Sequence, residues 1–362
     1  MTESTRTSAL ASRHRELGSG LEDWNGMGTA WSYDTDPCDE HDAVREAAGM
    51  FDMSPLKKVY LRGADAAAVA NQMITRDLSK IGPGQATYGS VLTEQGTVAD
   101  DAIISCNSDN EWMLVHGSGD SMALLEESAQ GKQVSLELDD NLHDLSVQGP
   151  KSLEILNANT PLDLEQIKYY HHQATELFGH PCRISRTGYS GERGYEIFAD
   201  GTAITEIWDQ LVGAGVMPCS FTSLDKARIE AGLLFYGYDM TDEHTPWETG
   251  LGFTIADNTD FRGREALLAA KGKERFRQSG LVVQLDDMLA GGETLHLNGE
   301  EVGVVNSPCY SHRLQQSLAL GHIRPDAAQA GTVLEVRGED MNCSATVNSL
   351  PFYDPQKLRV RG

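Results

Sequence analysis

Apolar positions in this chain recur at helical spacing in a few short segments and at every second residue in many more. Residues 40–54, EHDAVREAAGMFDMS, put Ala43, Ala47 and Ala48 at helical spacing, with Gly49 as the expected C-cap. KKVYLRG (57–63) reads as a strand and residues 65–73 as a helix. YGSVLT and VADDAIIS, joined by a turn at 94–96, predict a hairpin; EWMLVHG (111–117) predicts a further strand, and residues 121–129 a helix. Helices and strands alternate, but the hairpins argue against a doubly wound parallel sheet and for an α+β arrangement. From residue 280 the texture changes. GLVVQL, EEVGVVNS, SLALGHI, TVLEVRG and CSATVNS are short strands with glycine turns, as in a small antiparallel barrel or sandwich. A charged helical linker over 260–278 separates the two textures.

At 362 residues the chain is long enough for two or three domains. No apolar run reaches the roughly 18 residues that a membrane span needs. The N-terminal arm, MTESTRTSALASRHRELGSG, lacks the apolar core of a signal peptide, so a cytoplasmic setting is expected. The net charge is −25, from 29 basic and 54 acidic residues. Such a field repels phosphate backbones and anionic lipids, which removes nucleic acid and membrane surfaces as partners. It also works against docking with an acidic carrier protein. The six cysteines are scattered, without a CxxC pair or a histidine at finger spacing, so reduced thiols and no metal site are expected.

Three stretches carry candidate chemistry. In RTGYSGERGYEIF (186–198), glycines at 188, 191 and 194 offer positive-φ freedom and close approach to the backbone, without the GxGxxG of a dinucleotide site. The alternation after Gly194 turns Tyr195 and Ile197 one way and Glu196 and Phe198 the other. Glu196 is then either salt-bridged to an arginine such as Arg186 or Arg193, or an acceptor for a ligand with adjacent N–H donors. In TSLDKARIEAGLLFYGYDM (222–240), a helix ending at Gly237 puts Leu224, Ala227, Arg228, Ala231 and Phe235 on one face. Arg228 either snorkels to solvent or faces a pocket. In TYGSVLTEQGTVADDAII (87–104), Asp100 and Asp101 point to opposite sides of a strand. One is a partly desolvated acid and the other a surface residue, or both are solvated at a frayed end; Tyr88 lies across the hairpin.

In order and spacing, these stretches together with PWETGLGF, DFRGREAL and SLALGHI resemble the folate-dependent aminomethyltransferases, the T-protein of the glycine cleavage system and its tetrahydrofolate-dependent demethylase relatives. The resemblance runs from residue 40 to the C-terminus. It implies a three-domain cloverleaf around a central folate site: a region 1–259 of two interleaved subdomains (1–50 with 140–259, and 51–139), the linker 260–278 and a C-terminal β-barrel, 279–362. It makes Asp101 the catalytic aspartate, lines the pterin site with Tyr88 and Tyr189, sets Glu196 on the aminopyrimidine edge and places Arg228 in the same cavity. His116, Tyr236 and Trp247 are donor-side candidates. The chain departs from the T-protein pattern at Ser54-Pro55-Leu56, where Ser-His-Met is usual, and at Val115-His116-Gly117, where Val-Asn-Ala is usual. These departures favour a demethylase moving a methyl group from a small methylated N-, O- or S-compound to N5 of tetrahydrofolate, without a lipoyl carrier. The alternatives are an aminomethyltransferase forming 5,10-methylene-tetrahydrofolate and a non-catalytic folate-binding protein. The latter usually carries a lysine-glycine-cysteine-tyrosine motif, and its cysteine is missing here.

Overall fold

Side-chain capping sets where the helices of the N-terminal region begin. Asp36 accepts a hydrogen bond from Cys38 N at 2.8 Å and Pro37 fills the first turn, so a helix runs over Pro37–Glu46. It stops at Glu46. Gly49 is not its cap but the first residue of the strand Gly49–Asp52, where a Cβ would collide with the side chains of Cys219 and Val44. The helix expected up to Gly237 spans Phe221–Glu230 and ends through Gly232 at φ +65°, so Phe235 belongs to the following loop.

The computed structural model describes residues 5–117 and 119–362 and contains two larger sheets and a closed barrel. One sheet has the order His172–Leu177, His180–Ser185, Gly194–Asp200, Leu142–Gln148, Gly49–Asp52 and Met217–Pro218, antiparallel except for its last pair. Within Gly194–Asp200, Tyr195, Ile197 and Ala199 enter a core with Ile204, Ile207 and Leu211 of the helix Gly201–Gly213. Asp200 starts that helix by accepting from Thr202 N and Ala203 N, both at 2.9 Å. The pleat then turns Glu196 and Phe198 to the opposite face.

The second sheet has the order Gln85–Leu92, Val98–Ser108, Glu111–His116, Lys57–Arg62 and Ser135–Leu138. The helices Ala66–Met73 and Ser121–Ser128 contribute Val69, Met73 and Leu125 to its core. The barrel is antiparallel and closes through Arg277–Val283, Gln316–Ile323, Glu300–Ser311, Thr294–Leu297, Val333–Arg337 and Asn342–Asn348. Thr294–Leu297 has no counterpart among the strands expected from pattern, yet its two pairings complete the ring and leave no free edge. Leu318, Leu320 and Cys309 on the barrel's outer side pack against Ile229, fastening the barrel to the helix Phe221–Glu230.

The linker is anchored. Its helix, Arg264–Ala270, buries Leu267 against Leu92 and Val98. Gly96, in the turn of the Gln85–Ser108 hairpin, lies on the backbone of Leu267, and Gly263 lies on the carbonyl of Thr93. Arg262 adds ion pairs to Glu94 at 2.7 Å and Glu127 at 2.8 Å. No helix among the described residues is long and apolar enough to cross a membrane.

Candidate active site

Where the two sheets, the helix Phe221–Glu230 and the barrel meet, they enclose a cavity of about 750 Å³, within the usual range for a small-molecule site. The second sheet contributes Tyr88, Asp101 and His116, and the first contributes Glu196 and Phe198. Tyr189, Arg228 and Tyr236 also line it, but Trp247 does not. The Trp247 indole N–H donates to Leu267 O at 2.8 Å and Lys271 lies 4.7 Å over its ring, so it is held at the linker.

Asp100 is buried and Asp101 half-buried, contrary to the solvated alternatives. Asp100 has no exposed surface and is an acceptor hub, 2.9 Å from His116 Nδ1, 2.9 Å from Ser121 Oγ and 3.2 Å from Gly119 N. Backbone N–H groups that can only donate, those of Gly119 and Asp101, are among its partners. His116 Nε2 is buried and has no hydrogen-bond partner among the described residues. Asp101 turns into the cavity and accepts from Tyr88 Oη at 2.9 Å. Burial and then the charge of Asp100 push its carboxyl up to about 7, so near neutrality it both holds and releases a proton.

Glu196 is the other carboxyl in the cavity. Arg186 and Arg193 bind the carbonyl of Gly362 instead, and no arginine pairs with Glu196 among the described residues. Its one hydrogen-bond donor is the Thr187 hydroxyl. Behind it on the neighbouring strand, Asp144 is fully buried with both oxygens unpartnered. Burial raises both carboxyls, and for Asp144 the charge of Glu196 adds to it. Lys58, pushed by burial down to about 8, donates to Ser54 O and Leu56 O at 2.9 Å each. Of the three glycines in this stretch, only Gly191 has positive φ (+79°). At Gly188 and Gly194 a Cβ would strike the side chain of Gln148, so these two serve packing and not ligand approach.

Arg228 is 2% exposed and does not reach solvent. Its guanidinium is committed to Asp225 (2.7 Å), Asp239 (2.5 Å), Leu233 O (3.1 Å) and Ser307 Oγ (2.8 Å), joining helix, loop and barrel along the cavity wall. The Tyr189 hydroxyl donates to Leu234 O, which fixes the loop that presents Tyr236. Among the lining residues that escaped the sequence reading are Tyr169 and Tyr170, whose rings meet edge to face at 4.7 Å. The doubled aromatic just before a strand was their only signal. The assembled site offers flat aromatic walls, the carboxyl groups of Asp101 and Glu196, and the imidazole of His116.

The GCVT N-terminal domain matches residues 10–259, and the glycine cleavage T-protein C-terminal barrel domain matches residues 277–354. The chain is 43% identical over 373 aligned positions to the heme-dependent oxidative N-demethylase gamma subunit of Ectopseudomonas mendocina, covering 99% of each. It is 35% identical over 366 positions to an aminomethyltransferase of Desulfitobacterium hafniense, covering 98% of this chain and 100% of that one. The structure of glycine cleavage system aminomethyltransferase T from Bartonella henselae superposes with a TM-score of 0.90 at 25% identity, covering 97% of this chain and 98% of that one. The chain belongs to the glycine cleavage T-protein family of folate-dependent transferases.

Proposed function

We propose that this protein passes a one-carbon unit, taken from a small N-methyl compound, to tetrahydrofolate, beside a partner subunit that oxidises the N-methyl group. The observation that carries the reading is the Tyr88–Asp101 pair, an acid poised near neutrality inside the cavity that also holds Glu196. Its extension to an oxidative system rests on the 43% identity, end to end, with a subunit so named. In this reading the oxidation, and any heme, belong to another subunit, and the setting is cytoplasmic. Two-electron oxidation of the N-methyl carbon, the electrons passing to the oxidising subunit, gives an iminium that one water hydrolyses to the free amine and formaldehyde. Condensation of formaldehyde with tetrahydrofolate gives 5,10-methylene-tetrahydrofolate and returns one water.

The residues present fit the folate. The volume is adequate, the tyrosine rings suit a flat heterocycle, and Glu196 has acceptor capacity that Thr187 alone does not fill. When bound, tetrahydrofolate supplies the amine nitrogens that take up the carbon. Glu196 holds the aminopyrimidine edge and Tyr88, with Tyr189, walls the ring. Asp101, oriented by Tyr88, gives a proton to the oxygen that departs as water and accepts one from nitrogen. His116, held by Asp100, presents Nε2 as a second proton acceptor. Tyr236 borders the donor side.

The test is product analysis of the purified protein with tetrahydrofolate. Saturable folate binding and formation of 5,10-methylene-tetrahydrofolate from formaldehyde above the uncatalysed rate are expected, the excess vanishing in Asp101→Asn. Formation of 5-methyl-tetrahydrofolate from a panel of methylated N-, O- and S-compounds would replace this reading by the direct methyl transfer expected from sequence. Turnover of an aminomethylated lipoyl carrier would replace it by the aminomethyltransferase reaction. Absence of folate binding would end all three.

A further inference from the structure

Outside the cavity, the helix Pro37–Glu46 and the turn that follows the barrel strand Glu300–Ser311 bring His41, Asp42 and His312 together. We propose that these side chains bind a divalent cation of the imidazole-preferring kind, such as Zn²⁺ or Ni²⁺, and clip the N-terminal helix to the barrel. One ring nitrogen from each histidine and a carboxylate oxygen of Asp42 lie within 4.8 Å of one another. The His41 imidazole is oriented by a carboxylate that is not itself a ligand, with His41 Nε2 2.9 Å from Glu230 Oε2. His312 Nε2 lies 2.8 Å from Asp42 Oδ1. His41 Nδ1 and His312 Nδ1 are buried and have no hydrogen-bond partner among the described residues, and the ring centroids are 5.1 Å apart.

Glu230 fixes the tautomer of His41. It also accepts from Arg45 Nη2 at 2.7 Å and Ser311 Oγ at 2.5 Å. Ringed by these donors, Glu230 accepts a hydrogen bond from the His41 Nε2–H, and the lone pair is left on Nδ1. A carboxylate behind a histidine is the usual support for a metal-bound imidazole. Two orphaned buried nitrogens side by side are costly without an occupant.

Charge agrees. Glu230, Asp42 and Glu46 face Arg45 and Arg313, leaving one net negative charge. Arg313 Nη1 lies 2.6 Å from Asp42 Oδ1 and 2.7 Å from Glu46 Oε1, so it keeps a carboxylate if Asp42 turns to the cation. Asp42 and His312 are partly exposed, which gives an entry path and room for water to complete the coordination. His41 and His312 lie at opposite ends of the chain, which is why residue spacing gave no sign of a metal site.

The full-length protein, stripped with chelator, would be titrated with Zn²⁺ by calorimetry and with Co²⁺ by visible absorption, alongside His312→Ala and Asp42→Asn. Both substitutions lie on the partly exposed side, and circular dichroism checks that they fold. The expected result is one saturable site with a Co²⁺–imidazole spectrum in the wild type, weakened at least roughly tenfold in folded His312→Ala. No saturable binding, or equal affinity in that variant, overturns the proposal and leaves the two nitrogens to bound water.

Discussion

Replacing Asp101 by asparagine should make the ligand-free protein more stable above neutrality while suppressing its chemistry. Burial, together with the neighbouring Asp100 charge, lifts the Asp101 carboxyl from an ordinary value of 3.8 to about 7. Between those two pH values the folded chain retains a proton that the unfolded chain has released. The contribution of Asp101 to stability is therefore full below about pH 4, declines as pH rises, and is lost above about pH 7. At 1.36 kcal/mol per pH unit, that displacement amounts to roughly 4 kcal/mol. Asparagine does not ionise and escapes this cost, less about 1 kcal/mol for a weaker bond from Tyr88. The variant should be no more stable than wild type near pH 4 and more stable by about 3 kcal/mol at pH 8. Urea unfolding of both proteins at pH steps measures the difference, in which titrating groups remote from Asp101 cancel. Turnover should fall by about 10²–10³. A stability gap that fails to widen between pH 4 and 8 would show that Asp101 ionises freely in the folded protein, and its role as a proton carrier would go with it.

Glu196→Gln should weaken tetrahydrofolate binding at least roughly tenfold while leaving the melting temperature of the free protein unchanged or higher, since no arginine is left unpaired. A lower melting temperature with folate affinity retained would make Glu196 a structural residue. His116→Asn keeps a donor toward Asp100 but offers no basic nitrogen to the cavity; kcat should fall by about 10²–10⁴ at unchanged folate affinity. An unaltered kcat would remove His116 from the mechanism. Trp247→Phe should cost about 1 kcal/mol through the lost bond to Leu267 O and leave folate affinity intact; a drop in affinity would return the indole to the site.

What the sequence made legible was local. The two-residue alternation that turns Glu196 and Phe198 away from Tyr195 and Ile197 needs only the pleat, and the structure has it. The Gln85–Ser108 hairpin follows equally from its turn and its flanking strands. What stayed hidden depended on a second, distant segment. Gly49 reads as a helix cap until Cys219 is known to press on it. The destination of Arg228 is decided by Asp239 and Ser307, and the burial of Asp100 by His116, Gly119 and Ser121. Thr294–Leu297 is too short and mixed to declare itself; it is a strand because two neighbours need it to close the ring. Trp247 carries the attributes of a binding residue, and only its partners Leu267 and Lys271 assign it elsewhere.

At Gly96 and Gly263 the nearest approach is of backbone to backbone. A contact of this kind is indifferent to drift in the surrounding sequence. Residues elsewhere on the cavity wall can then be exchanged while the hairpin bearing Asp101 stays registered to the linker and, through it, to the barrel. The intolerant positions are the glycines themselves. Any other residue would need φ near +77° at 96 and +70° at 263, with its Cβ driven into main chain that cannot yield. Saturation mutagenesis should find both fixed even in descendants selected for a new donor.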